Sequence, residues 1–104
     1  MSKFVFAYRG GRGMAATPEG QEKVMAQWGA WFGSLGTDLV DGGSPFGAAA
    51  TVQPDGGSTD GGSAALTGYS IVDAPDLAAA AALAKGCPLL GDGGSVDVYQ
   101  ALPM

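Results

Sequence analysis

Thr17–Gly36, TPEGQEKVMAQWGAWFGSLG, reads as one amphipathic helix and carries both tryptophans of the 104-residue chain. Thr17 is an N-cap whose hydroxyl can accept from a free backbone N–H of the first turn. Pro18 follows at the first helical position, where its missing N–H costs nothing. Glu19 and Glu22 sit where the helix dipole favours negative charge, and Gly36 stands where a helix stops in a left-handed conformation. Between these signals Val24, Trp28, Trp31 and Leu35 recur at spacings of four, three and four. Met25 and Phe32 widen the stripe, which has the period of a helix with one buried face. Each large apolar side chain buried contributes about 1.5–3 kcal/mol, so this helix supplies the largest single part of the core. Gly29 and Gly33 each cost roughly 1 kcal/mol of helix propensity. Spaced i, i+4, they form a shallow groove that another backbone, a strand or a partner subunit, can approach.

The flanking sequence supplies a sheet. Lys3–Arg9 (KFVFAYR) is aromatic and β-branched, closes on Gly10-Gly11, and reads as a strand. Phe4, Phe6 and Tyr8 share one face and Val5 and Ala7 the other; both faces are apolar, as in a central strand. After the helix, Thr37–Asp41 begins a second strand, interrupted at Gly42–Gly47 because Pro45 cannot donate to a ladder; residues 48–52 continue it. Gln53–Ser63 is a polar hairpin loop with two Asp-Gly-Gly signals. Leu66–Ala74 is the third strand. Asp76–Lys85 is a second helix, capped by Asp76 and ended by Gly86, with Leu77, Ala80, Ala81 and Ala84 as a slim face that can lie flat on a sheet. Ser95–Leu102 is the last strand. The order β-α-β-β-α-β, with right-handed crossovers, predicts an α+β fold: an antiparallel four-stranded sheet with both helices on one face, the ferredoxin-like arrangement. Two helices cover one sheet face only. The other would be a large exposed patch, which predicts a homodimer with two sheets face to face, about 10 Å apart.

Composition sets outer limits. The length is that of one domain, residues 1–104. A 46% apolar and 9% aromatic content is ample for a core, and ten of the nineteen glycines fall in five pairs that punctuate loops. A net charge of −5 with five basic residues disfavours nucleic acid and anionic membrane surfaces. No segment reaches the length of a membrane span, and MSKFVFAYRGG does not read as a signal peptide, so a cytoplasmic protein is expected. With one cysteine, Cys87, and no histidine, the commonest general base and metal ligand is missing; neither a metal nor a cofactor is expected.

Four stretches, MAQWGAWFGSLG, LVDGGSPFG, GYSIVDAPDL and AKGCP, follow one another in an order and spacing that resembles the YCII-related (DGPF-type) domain family over nearly the whole chain. That resemblance implies small ferredoxin-like domains assembled as dimeric α/β barrels, most without an established activity. It also implies, for one relative, a catalytic histidine in the first helix and an aspartate in a pocket near the dimer seam. Here the histidine position falls near Gln27 or Trp28, and Gly43-Ser44-Pro45-Phe46 stands where one branch has Asp-Gly-Pro-Phe. Asp38 or Asp41 matches the aspartate region, without the histidine partner.

The remaining candidates come from the residues themselves. Gly11-Arg12-Gly13-Met14-Ala15-Ala16 fits G-x-G-x-x-A after a strand, but in a dinucleotide fold those glycines would open the helix itself. Arg9 and Arg12 cluster in a loop that can hold a small anion. Asp41, beside Gly42-Gly43-Ser44, is either a base near a closely approaching backbone or a turn residue bonding its own backbone. Trp28 and Trp31 pack the core first and can wall an apolar pocket. Asp97 and Tyr99 share a face of the last strand; between two sheets that aspartate would be partly desolvated and its pKa raised. Two functions follow. One is a binding or accessory module holding a small molecule in the cleft between the sheet and the first helix, with Tyr8, Arg9, Arg12, Trp28, Trp31, Ser44 and Tyr69 as contacts. The other is a cofactor-independent enzyme on a small hydrophobic or aromatic substrate, with Asp41 or Asp97 as base and Tyr8, Tyr69 or Tyr99 as acid.

Overall fold

Alternation along the first strand decides which side of the sheet the helices take. The computed structural model describes residues 1–10, 17–60 and 66–103. Strand β1 (Ser2–Arg9) buries Phe4, Phe6 and Tyr8 in one cluster with Trp31 and Leu35 of helix α1 (Pro18–Leu35) and Ala80 and Ala84 of helix α2 (Leu77–Ala84). Both helices therefore cover the same face. β1 lies between β5 (Gly68–Ala74) and β6 (Ser95–Ala101), and β2 (Leu39–Asp41) pairs with the far side of β5, giving the order β2-β5-β1-β6 with every pair antiparallel. The result is an α+β fold with two helices on a four-stranded antiparallel sheet, consistent with the ferredoxin-like arrangement.

The caps stand where the sequence places them. Thr17 Oγ1 accepts from Gly20 N at 3.0 Å and Asp76 Oδ1 from Ala79 N at 2.8 Å. α2 buries only Ala80 and Ala84; Leu77 is exposed, and Leu83 packs at the edge of the core instead. Small side chains let α2 lie close to the sheet. Trp31 then reaches across to it: its ring stacks on Phe6 at 6.0 Å, and its indole N–H donates to Leu83 O at 3.2 Å. A Cβ on Gly86 would sit 3.0 Å from the Trp31 ring, so a glycine ends α2 there.

Several expectations change. Met25 is 73% exposed rather than part of the buried stripe, because only the C-terminal half of α1 presses on the sheet. Residues 36–38 form a 3-10 turn with Gly36 at φ +56, so the second strand starts at Leu39 and not at Thr37. Residues 48–52 do not continue it. Pro45 makes a single bridge to Gly68, and β3 (Ala50–Val52) pairs with β4 (Ser58–Asp60) as a separate two-stranded sheet. The turn at its tip is the first Asp-Gly-Gly, with Gly57 N–H on Asp55 Oδ1. The second, at 60–62, runs beyond the described residues. Among the described residues no backbone approaches Gly29 or Gly33: a Cβ on either meets nothing within 4 Å. No helix among the described residues is long and apolar enough to cross a membrane.

The cap at α2 gives a direct test. Asp76→Ala removes an N-cap and should cost about 1 kcal/mol in denaturant unfolding. An unchanged midpoint would mean that α2 is fixed by packing alone.

Candidate functional site

A cavity of about 480 Å3 opens at one end of the sheet, beneath α1 between Met25 and Phe32. Three elements build it. α1 supplies Met25, Trp28, Gly29 and Phe32; the end of β1 supplies Tyr8; and the loop after β2, Gly42–Pro45, closes it together with Thr67 and Gly68. The aromatic walls brace one another: Tyr8 meets Trp28 edge to face at 5.1 Å, and Trp28 meets Phe32 at 5.8 Å.

The loop is held by its backbone. Gly43 has φ +75, and a Cβ there would fall 1.7 Å from Tyr69 O, so only glycine fits. Tyr69 N–H donates to Ser44 O, Phe46 N–H to Thr67 O, and Gly43 N–H to Asp41 Oδ1. Thr67 gives both its N–H and its hydroxyl to Tyr8 O. Inside the wall runs a hydroxyl relay: Tyr8 OH donates to Ser70 Oγ at 2.7 Å, and Ser70 donates to Gly42 O at 2.7 Å. Burial pushes the Tyr8 phenol up to about 12, against the smaller opposing pull of its bond to Ser70. Tyr8 is therefore neutral throughout the physiological range. No Asp, Glu, Lys or Arg stands among the residues described around the cavity.

The candidate residues divide between two faces. Tyr8, Trp28 and Ser44 line the cavity; Tyr69 borders it, but its register opposite Ala7 turns its ring to the helix-free face, where it stacks on Phe46 at 5.7 Å. Trp31 does not; it is 5% exposed and packs behind Trp28. Asp41 takes the turn role, with Oδ1 on Gly43 N–H and Oδ2 3.5 Å from the Tyr69 hydroxyl in an exposed contact. Register puts Arg9, Asp97 and Tyr99 on the helix-free face, because Val5 pairs with Tyr99 and Ala7 with Asp97. Asp97 has a partner there: Arg9 Nε, shielded from water, faces its carboxylate as an ion pair. Arg9 and Tyr99 line a second, more open cleft with Phe46 and residues 47–51. Arg12 and the G-x-G-x-x-A loop lie outside the described residues.

Sequence reasoning did not single out Ser70, Thr67, Gly68 or Leu89. Ser70 left a usable signal. It is the polar residue on the buried parity Gly68, Ser70, Val72, Ala74 of β5, and a fully buried hydroxyl needs partners. No protein-family model, no curated protein and no solved structure matches the chain.

The buried protons predict alkaline sensitivity. Cys87, 3% exposed, has its thiol pushed by burial up to about 11 from 9.0. Between those values the unfolded chain releases this proton and the folded chain keeps it, so stability falls as pH rises. Tyr8 adds the same loss between 10.0 and about 12. Denaturant midpoints should hold up to pH 9 and then drop, by about 2 kcal/mol for Cys87 near pH 11. Cys87→Ala should delay the onset to about pH 10; an unshifted onset would show that the thiol is not the source.

Proposed function

We propose that this chain is a small-molecule-binding module, that its ligand is an uncharged aromatic or apolar compound held between α1 and the Gly42–Pro45 loop, and that it works as a homodimer. The observation carrying the ligand class is the cavity wall: Tyr8, Trp28 and Phe32 at about 480 Å3 with no ionic group among the residues described around it. That volume is within the roughly 300–1,000 Å3 of small-molecule sites. A carboxylate or phosphate would lose its hydration there and gain no cation. Turnover is the less favoured reading, because the acid–base pair nearest the cavity, Tyr69 and Asp41, is exposed to water.

The dimer rests on the helix-free face. Its ion pairs, Lys3–Asp73 and Arg9–Asp97, are internally neutralised. Between them lie Val5, Ala7, Ile71 and Tyr99, with Tyr99 56% exposed. Three strands of seven or eight residues and the three-residue β2 cover roughly 400 Å2 of sheet, less than the about 800 Å2 per partner of a standard interface. The β3–β4 arm supplies the remainder. It stands on the same side, since residues 47–51 share a cleft with Tyr99, and it exposes Phe46 and Val52. A second copy, offering the same sheet and arm, is the self-complementary occupant. The motif order that resembles the YCII-related family supports this reading, for that family implies dimeric α/β barrels.

Two experiments follow. Gly29 lines the cavity with open space where a Cβ would be, so Gly29→Leu should fill it. That variant should melt no lower than wild type, because leaving glycine recovers up to about 1 kcal/mol of helix propensity. Neutral bicyclic aromatics should raise the melting point of wild type but not of Gly29→Leu; equal shifts in both would remove the cavity as the site. In sedimentation at micromolar concentration the chain should run at twice 10.3 kDa, and Tyr99→Asp should run as single chains. A wild-type monomer would refute the dimer.

A further inference from the structure

The direction of the hydrogen bonds along the cavity wall says more about the ligand than the wall's apolarity does. Gly42 O is a carbonyl and can only accept, so the Ser70 hydroxyl must donate to it. Ser70 has one proton. Having given it to Gly42, it can only accept from Tyr8, and the Tyr8 proton is committed inward. Tyr8 Oη is left with acceptor capacity alone. Three neighbouring groups have spent their protons too: Thr67 gives N–H and O–H to Tyr8 O, Gly43 N–H goes to Asp41, and Tyr69 N–H goes to Ser44 O. The carbonyls of Gly42 and Ser44 each keep a second lone pair. Trp28 carries an N–H donor on the helix wall and Ser44 a hydroxyl on the loop, so this polarity belongs to the Tyr8 end of the cavity.

We infer that the ligand is a neutral aromatic compound bearing a hydroxyl or N–H group at its rim, and that this group donates to Tyr8 Oη. The inference rests on the reading of the cavity as a small-molecule site and narrows its ligand class to phenols, indoles and similar donors. An aryl ether of the same shape would set one lone pair against another, and a site arranged to meet a donor discriminates against the analogue that lacks it. The relay is what makes the choice: with Ser70 removed, the Tyr8 proton could turn to meet an acceptor.

The test is calorimetric titration of the full chain with 2-naphthol, 2-methoxynaphthalene and 2-methylnaphthalene. In wild type the naphthol should bind about fivefold tighter than either analogue. Tyr8→Phe keeps the ring packing and leaves Ser70 bonded to Gly42, and should bring the three within about twofold. Ser70→Ala frees the Tyr8 proton, and the methyl ether should then approach the naphthol. If wild type binds all three equally, or if the naphthol preference survives in Tyr8→Phe, the donor rule is overturned while the apolar site stands. If none of the three binds wild type, the cavity reading itself falls, and this inference with it.

Discussion

One side chain locks the two helices to the sheet. Trp31 is 5% exposed, stacks on Phe6, and donates its indole N–H to Leu83 O of α2. Burying that ring contributes roughly 3 kcal/mol. The bond to Leu83 spares the N–H the cost of being buried alone. Leu35, one turn further on, is buried beside it. Among the described residues nothing comparable holds the other end of α1. Val24 is half-buried and Met25 exposed, so the first half of the helix stands off the sheet. The cavity lies beside that anchor: Trp28, Gly29 and Phe32, on the stripe next to Trp31 and Leu35, form its helix wall.

Much of this was legible in the sequence, and the reason is local. Thr17-Pro18 and Asp76 declare their helices because capping is a matter of a few consecutive backbone N–H groups. The face of β1 that meets the helices follows from alternation once both faces are read. Register is not local. Whether Asp97 and Tyr99 faced the helices or the open side depended on which residue of β1 each opposed, and no signal within β6 carries that. The same limit hid the split of the candidates: Tyr8 and Arg9 are chain neighbours on opposite faces. Trp28 and Trp31, one helical turn apart, divide into a cavity wall and a core anchor because they stand on adjacent stripes of α1: Met25, Trp28, Gly29 and Phe32 border the cavity, Trp31 and Leu35 the core. The arm was misread because Gly43 and Pro45 divert the chain through contacts with Tyr69 and Gly68, more than twenty residues away.

The two faces obey different rules. On the helix face the buried polar side chains Tyr8, Ser70 and Trp31 each have a partner. On the open face the charges occur as opposite pairs across adjacent strands, Lys3 with Asp73 and Arg9 with Asp97. Cross-strand pairs of that kind fix register for little net energy. They also leave the middle of the face uncharged. With extents of 44 × 41 × 19 Å the molecule is thin, and its radius of gyration of 15.0 Å exceeds the roughly 13 Å of a compact chain this long. A layer of helices and a layer of sheet account for the thickness, and the arm adds breadth without adding depth.

Gly29 and Gly33 separate packing from function within one helix. Each lowers helix propensity by roughly 1 kcal/mol relative to alanine, and neither is repaid by a close neighbour, since a Cβ on either would meet open space. Gly33 faces no wall of the cavity; its cost has no structural return that the fold displays. Gly29 lies in the wall between Trp28 and Phe32, where any side chain would occupy the cavity. A helix selected for stability alone would carry a larger residue at that position and close the space onto Tyr8. Keeping the gap sacrifices both propensity and core volume, the kind of local loss that proteins sustain at sites rather than in scaffolding. The gap is bounded by aromatic rings on one side and, on the other, by a tyrosine whose proton is already spent on Ser70. Emptiness with that polarity is a property a ligand could explain and packing does not.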